Sequence, residues 1–142
     1  MPALFWLIAA VLIILFIASP FLHQNSQGHL SNSSRRRSYD QADQLIRTAG
    51  SELLRGLNDQ AYSHYRQARD LASAAHLYFL AAEANYGMAE VHERNQAFQS
   101  AAQCLREILA TRTYLDQEKP GYAQMMANKL AALEAKIAEA KN

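Results

Sequence analysis

Residues 1–22 form the most apolar part of the chain. Residues 3–18 read ALFWLIAAVLIILFIA and contain no polar side chain. About 20 helical residues, at about 1.5 Å each, cross a hydrocarbon core of about 30 Å. Trp6 and Phe21 stand near the two ends of the stretch, where aromatic rings suit the membrane interfaces. The pattern predicts a transmembrane helix over residues 1–22.

Two other interpretations of this apolar stretch are a cleaved signal peptide and a buried helix of a soluble domain. A signal peptide needs a basic residue ahead of the apolar run and small residues at its cleavage site. No Lys or Arg precedes the run, and Phe16 places a bulky ring next to Ile17 and Ala18. The sequence therefore favours a retained membrane span.

Charge predicts the orientation of this span. Every Lys, Arg, Asp and Glu of the chain lies at or after Arg35, and Arg35, Arg36 and Arg37 follow one another. Because basic residues that flank a span stay on the cytoplasmic side, we expect the N-terminus outside and the C-terminal domain in the cytoplasm. These arginines also suit contact with anionic lipid headgroups. The Ser/Asn/Gln-rich residues 23–37 predict a flexible linker.

Residues 38–142 show the three-and-four spacing of apolar positions that is typical of amphipathic helices. The spacing predicts a first helix over residues 39–55. It then predicts either one helix from residue 59 to 83 or two short ones with a break near Arg69 and Asp70. Further predicted elements are a turn at 85–87, a short helix at 88–94, an apolar helix face over 98–109, a loop within 113–121, and a final helix with Tyr122, Met126, Leu130, Leu133 and Ile137 on one face. The predicted fold class is all-α, a single N-terminal transmembrane helix followed by a small helical-hairpin bundle.

Two segments of this domain align without gaps when Ala61 is placed on Met88. Each segment leads from a helix into a second helix with recurring aromatic, Leu and Ala positions. This pattern, over about residues 58–112, resembles the tetratricopeptide repeat, and the string LYFLAAE at 77–83 looks like its Sel1-like relative. The resemblance implies stacked helical hairpins and a protein-binding module without chemistry of its own.

Small residues support close packing between helices in this region. They occupy the positions where two helices would approach each other most closely, namely Ala74, Ala81, Ala89 and Ala101. Small side chains at helix contacts are equally typical of an ordinary helical bundle. The generic bundle therefore stays open beside the repeat-like hairpins.

Composition excludes several classes of function. With 14 Lys+Arg against 13 Asp+Glu, the net charge of +1 gives no excess to neutralise a nucleic-acid backbone. Cys104 is the one cysteine, which excludes an intrachain disulfide, and its place in an apolar stripe predicts a small buried side chain. His64, His76 and His92 lack metal-ligand spacing, and no phosphate-binding or nucleophile motif is present. We therefore expect no enzymatic activity, no cofactor, no metal and no small-molecule substrate.

Tyrosine, Met and Leu side chains give the candidate partner-binding surface, because such residues are enriched at protein interfaces. The candidates are Tyr62, Tyr65, Tyr78, Tyr122, Met126 and Leu130. The function expected is a membrane-anchored adaptor or assembly factor that binds subunits of a membrane complex, or a peptide or helix of a partner. One alternative is a structural accessory subunit held mainly through its transmembrane helix. Another is a membrane-tethered enzyme or metal protein.

Overall fold

Residues 32–140 fold into a bundle of α-helices. The computed structural model describes these residues, and within them six helices follow one another without a β-strand. Their bounds are α1 Asn32–Leu54, α2 Asn58–Ala74, α3 Tyr78–Arg94, α4 Phe98–Ala110, α5 Arg112–Glu118 and α6 Tyr122–Glu139. The all-α character predicted from the apolar spacing is confirmed for this part of the chain.

The membrane-spanning component of the predicted fold class requires correction. Across residues 32–140, no helix combines the length and the apolar character needed to cross a membrane. The predicted span over residues 1–22, with Trp6 and Phe21, lies outside the described residues. Over the described residues the predicted class is wrong, because they form an all-α bundle of six helices and none of these helices is long and apolar enough to cross a membrane. The expected orientation and cytoplasmic location stay predictions.

The first helix begins earlier than the sequence predicted. α1 starts at Asn32, so Arg35, Arg36 and Arg37 are helical and exposed, although the linker was predicted to extend through them. An Arg35 guanidinium nitrogen lies 3.5 Å from the carbonyl oxygen of His76, in the turn after α2. The start of α1 therefore contacts the turn after α2, and the local sequence does not predict this contact.

Three successive turns share one geometry and follow one another at equal intervals along the chain. In each turn one residue has a positive φ, and the residue after it donates its backbone N–H to a carbonyl of the preceding helix, as in the Schellman motif. The positive-φ residues are Gly56, His76 and Gln96, and the N–H donors Leu57, Leu77 and Ala97 reach the carbonyls of Glu52, Ala72 and His92 at 2.9, 2.9 and 2.8 Å. The repeating unit is thus one helix with its turn. The sequence alignment of Ala61 with Met88 has an offset of 27 residues. It does not correspond to this structural unit, because successive turns are 20 residues apart.

The helices pack with their neighbours around α3. α3 packs against α2 on one side and α4 on the other, and α6 packs against α4. The side chains that α3 buries are accordingly spread around its circumference: Leu80, Ala82, Ala84, Asn85, Met88, Ala89 and Val91, with Gly87. Arg94 at the end of α3 donates a 2.7 Å hydrogen bond to the carbonyl oxygen of Leu53 near the end of α1. Such a bundle is compatible with a helical repeat.

The predicted small-residue contacts are correct in part. Ala89 and Ala101 are fully buried, and Ala81 is half-buried. Ala74, the last residue of α2, is exposed. The close helix contacts therefore do not include Ala74.

Several predicted boundaries are wrong. α2 ends at Ala74 and the chain turns at residues 75–77, so neither the long helix to residue 83 nor a break at Arg69 and Asp70 occurs. The predicted turn at 85–87 lies inside α3. The loop predicted within 113–121 is present at residues 119–121, and α5 occupies the residues before it. The predicted end of a helix at Arg94, the helix over residues 98–109 and the buried face of α6 are confirmed.

Candidate partner-binding groove

Four helices border a groove of about 320 Å³, which we call the tyrosine groove. α1 contributes Ile46, α2 contributes Tyr65, and α3 and α6 complete it. Its apolar and aromatic walls consist of Ile46, Tyr65, Tyr86, Tyr122, Met125 and Met126, while Glu83 and Glu90 supply carboxylates and Gly87 leaves one wall without a side chain. The mixture of apolar surface with a few polar groups is typical of a binding site.

Gly87 positions Tyr65 in the groove. Both residues are buried, and a Cβ atom added at Gly87 would overlap the Tyr65 ring. The ring therefore lies so close to the backbone of α3 that only a glycine can occupy this position. Burial raises the pKa of the Tyr65 phenol, and the Glu90 carboxylate raises it further. The phenol is thus neutral and can donate or accept a hydrogen bond.

Tyr122 is held by contacts at the start of α6. Its ring meets the Phe79 ring edge to face, with centroids 5.2 Å apart. The Lys119 ammonium lies 4.9 Å from the Phe79 centroid and 5.7 Å from the Tyr122 centroid, within the range of cation–π attraction. Burial is the main cause that raises the pKa of Tyr122, and Glu83 adds to it. Lys119 is therefore engaged with rings at the edge of the groove.

Tyr86 is fixed by a lysine of α6. The Lys129 ammonium donates to the Tyr86 hydroxyl at 3.2 Å, lies 4.4 Å from the ring centroid, and forms an ion pair with Glu93 at 2.9 Å. Burial lowers the pKa of Lys129, but Glu93 and Tyr86 together outweigh burial, so the net shift is upward. Lys129 therefore stays charged and joins α6 to α3.

Glu83 and Glu90 line the groove without a partner. Within residues 32–140, neither carboxylate has a hydrogen-bond or ion-pair partner, although both are half-buried. Burial raises the pKa of Glu83; Lys119 opposes this shift, and Asp43 adds to it. The two residues are seven positions apart on α3, which is about 10.5 Å along a helix axis and nearly the same face.

The groove brings together half of the predicted partner-binding residues. Tyr65, Tyr122 and Met126 line it, although Met126 is almost fully buried. Tyr62 instead packs on the His92 ring with centroids 5.1 Å apart, and Tyr78 stacks on Tyr114 at 4.2 Å. Leu130, on the buried face of α6, packs against the hydrophobic core. These last three residues lie outside the groove.

Sequence reasoning missed the groove's contribution from α3. Glu83, Tyr86 and Glu90 have the i, i+3, i+7 spacing of one helix face. The prediction of a turn at residues 85–87 concealed this spacing, because a turn would have separated the three side chains. Met125 was not among the predicted partner-binding residues, and at 54% exposure it is the most accessible apolar side chain of the groove.

Other predicted chemistry is consistent with structural roles. Cys104 is buried as predicted, and burial raises the pKa of its thiol to about 11. His64 pairs with Glu52 at 2.7 Å. Burial lowers the pKa of His92. The described residues contain no group of three His, Cys, Asp or Glu side chains that could hold a metal ion.

Comparisons with known proteins provide no relative. No protein-family model matches the chain, and neither a curated protein nor a solved structure matches it. The fold defines a helical bundle in which neighbouring helices pack against each other, and such a bundle is compatible with a helical repeat.

Proposed function

We propose that this domain is a protein–protein interaction module and that the tyrosine groove binds a helix or peptide of a partner protein. The observation that carries the proposal is the groove itself, in which Tyr65, Tyr86 and Tyr122 converge with Met125. In this proposal the hairpins act like tetratricopeptide or Sel1-like units, which present a binding surface rather than catalytic groups. The wider role is that of an adaptor or assembly factor for a membrane protein complex.

The chemistry of the groove supports this role. Tyr and Met are enriched at protein interfaces, since an aromatic ring offers a large contact area with little loss of conformational freedom and Met adapts to different partners. An amphipathic helix can insert its apolar side chains into such a groove. Met125, exposed at the rim, is the first side chain that an incoming partner would cover.

Site-specific photo-crosslinking tests the proposal. The variant M125C in the full-length chain carries a benzophenone maleimide at the groove, and L54C carries the same group on an exposed site of α1 outside it. Cys104 is buried with a pKa of about 11, so the introduced thiol reacts first. Both proteins are irradiated in extracts of the source cells that include membranes, and crosslinked products are identified by mass spectrometry.

We expect a discrete partner to crosslink from the M125C site and not from the L54C site. The crosslinked peptide of the partner should carry apolar side chains that can insert into the groove. Equal products from both sites, or no product from M125C, would contradict the groove as the binding site.

A further inference from the structure

Apart from Glu83 and Glu90, the partly buried carboxylates of the described residues each pair with a cationic or imidazole side chain. Asp43 pairs with Arg47 at 2.8 Å, Glu52 with His64 at 2.7 Å and Glu93 with Lys129 at 2.9 Å. Within residues 32–140, the half-buried carboxylates that lack such a partner are Glu83 and Glu90, and both line the tyrosine groove. Burying a carboxylate is unfavourable unless a hydrogen bond or opposite charge compensates it.

The cations near the groove do not form an ion pair with Glu83 or Glu90. Lys119 lowers the pKa of Glu83 only from a distance. Arg94, whose charge lowers the pKa of Tyr65, donates its hydrogen bond to the carbonyl oxygen of Leu53. Lys129 binds Glu93 and the Tyr86 hydroxyl. Lys119 lies over the rings of Phe79 and Tyr122 and forms no ion pair with another described residue. A third carboxylate, that of Asp43 on α1, adds negative potential at Glu83, although Asp43 pairs with Arg47. The groove therefore keeps a negative character that the domain's own side chains offset only in part.

The aromatic side chains strengthen this preference for a positive ligand. Tyr86 and Gly87 lie between Glu83 and Glu90 on α3, and Tyr65 lies against Gly87. The face of an aromatic ring attracts a cation, and a guanidinium group can stack on a ring while it donates to carboxylates. Lys129 over the Tyr86 ring shows that a ring of this groove already accommodates a cation.

We propose that the partner segment bound in the tyrosine groove carries an arginine or lysine whose cation lies between Glu83 and Glu90, next to an apolar side chain that packs on Met125. This inference rests on the proposed function, because it names the chemistry of the partner for the same groove. The apolar anchor supplies contact area, and the cation supplies selectivity, since a neutral or acidic segment would leave the two carboxylates buried without compensation.

A peptide-display selection from random sequences tests this preference. Random helical peptides are selected on the full-length protein, immobilised through a C-terminal tag in mild detergent. A second selection uses the variant M125S, which removes the apolar side chain on which the peptide would pack, and peptides that bind both proteins equally well are discarded. The remaining peptides depend on the groove, and their composition at each position is then measured by sequencing.

We expect the groove-dependent peptides to carry Arg or Lys beside an apolar residue. Replacing that Arg by citrulline, which keeps the shape and removes the charge, should weaken binding about tenfold, as expected for loss of a charge-assisted hydrogen bond. On the E83Q/E90Q double variant, replacing Arg by citrulline should weaken peptide binding much less. E139Q changes an exposed carboxylate of α6 outside the groove and is the matched control, on which the full loss should persist.

The outcomes separate the two proposals. Groove-dependent peptides without enriched Arg or Lys, or with equal affinity after citrulline replacement, would overturn the charge preference and leave the docking groove intact. Failure to obtain any groove-dependent peptide would contradict the docking groove and with it the charge preference.

Discussion

The Tyr65 ring lies against the backbone of Gly87, in the middle of α3, so closely that a Cβ atom at residue 87 would overlap the ring. This contact joins α2 to α3 at one wall of the tyrosine groove. It also explains why a glycine, which costs about 1 kcal/mol relative to alanine inside a helix, occupies this position. Close approach of the ring compensates for the loss of helix propensity.

The variant G87A should therefore lower the free energy of unfolding. The added methyl group displaces the Tyr65 ring, and overpacking of this kind costs about 1 to 3 kcal/mol, more than the gain in helix propensity. Urea unfolding of the full-length chain measures the change. G50A is the matched control, because Gly50 also lies inside a helix but an added Cβ would meet Tyr65 only at an ordinary contact distance of 3.5 Å. G50A should be neutral or stabilising by up to about 1 kcal/mol, and an equal effect of both variants would contradict the Tyr65–Gly87 contact.

The repeated turns predict opposite effects of two glycine substitutions. Gln96 has a φ of 59° and Gly56 a φ of 77°, in equivalent positions of their turns. Gln96→Gly should raise the free energy of unfolding by up to about 1 kcal/mol, because glycine adopts this conformation without steric cost. Gly56→Ala should lower it by about 1 kcal/mol, although a Cβ there has open space around it. Thermal or urea unfolding measures both, and the same sign for the two variants would contradict the equivalence of the turns.

The sequence predicted the helices whose ends carry recognisable signals and missed the others. The turn at residues 75–77 consists of Ala75, His76 and Leu77, with neither glycine nor proline, so the pattern continues through it. Conversely, Gly87 indicated a turn, although its role is to accommodate the Tyr65 ring from another helix. At Gly87 the conformation thus depends on packing between two helices, which local spacing does not encode.

The candidate site was predicted by residue type more than by position. Tyr65 and Tyr122 were recognised because tyrosine suits an interface, and the structure brings them together. Glu83 and Glu90 were not among the predicted site residues, because their common face depends on α3 being continuous. Whether a carboxylate has a partner depends on the neighbouring helices and cannot be predicted from its own segment.

Alanine-to-leucine variants test the close helix contacts. Ala101 is fully buried, so Ala101→Leu should lower the free energy of unfolding by about 1 to 3 kcal/mol through overpacking. Ala74 is exposed at the end of α2, so Ala74→Leu should change it by no more than about 0.5 kcal/mol. Urea unfolding of both variants provides the comparison. A large loss with Ala74→Leu, or none with Ala101→Leu, would contradict the packing between α2, α3 and α4.

The Glu83 carboxylate predicts a specific dependence of stability on pH. Burial raises its pKa in the folded protein above the ordinary value of 4.5, so the folded state holds this proton more tightly than the unfolded state does. Its contribution to stability therefore decreases as pH rises from about 4.5 through the folded-state pKa. Glu83→Gln should remove this penalty, making the variant more stable than the wild type at neutral pH, with the advantage shrinking towards pH 4.5.

Urea unfolding at a series of pH values measures this difference, and Glu139→Gln, at an exposed position, should show no such advantage. A Glu83→Gln variant that is less stable than the wild type at neutral pH would mean that the carboxylate is compensated within the fold. In that case Glu83 would not need a cation from a partner. The stability measurement thus tests, without any ligand, the uncompensated charge on which the expected preference for a basic partner depends.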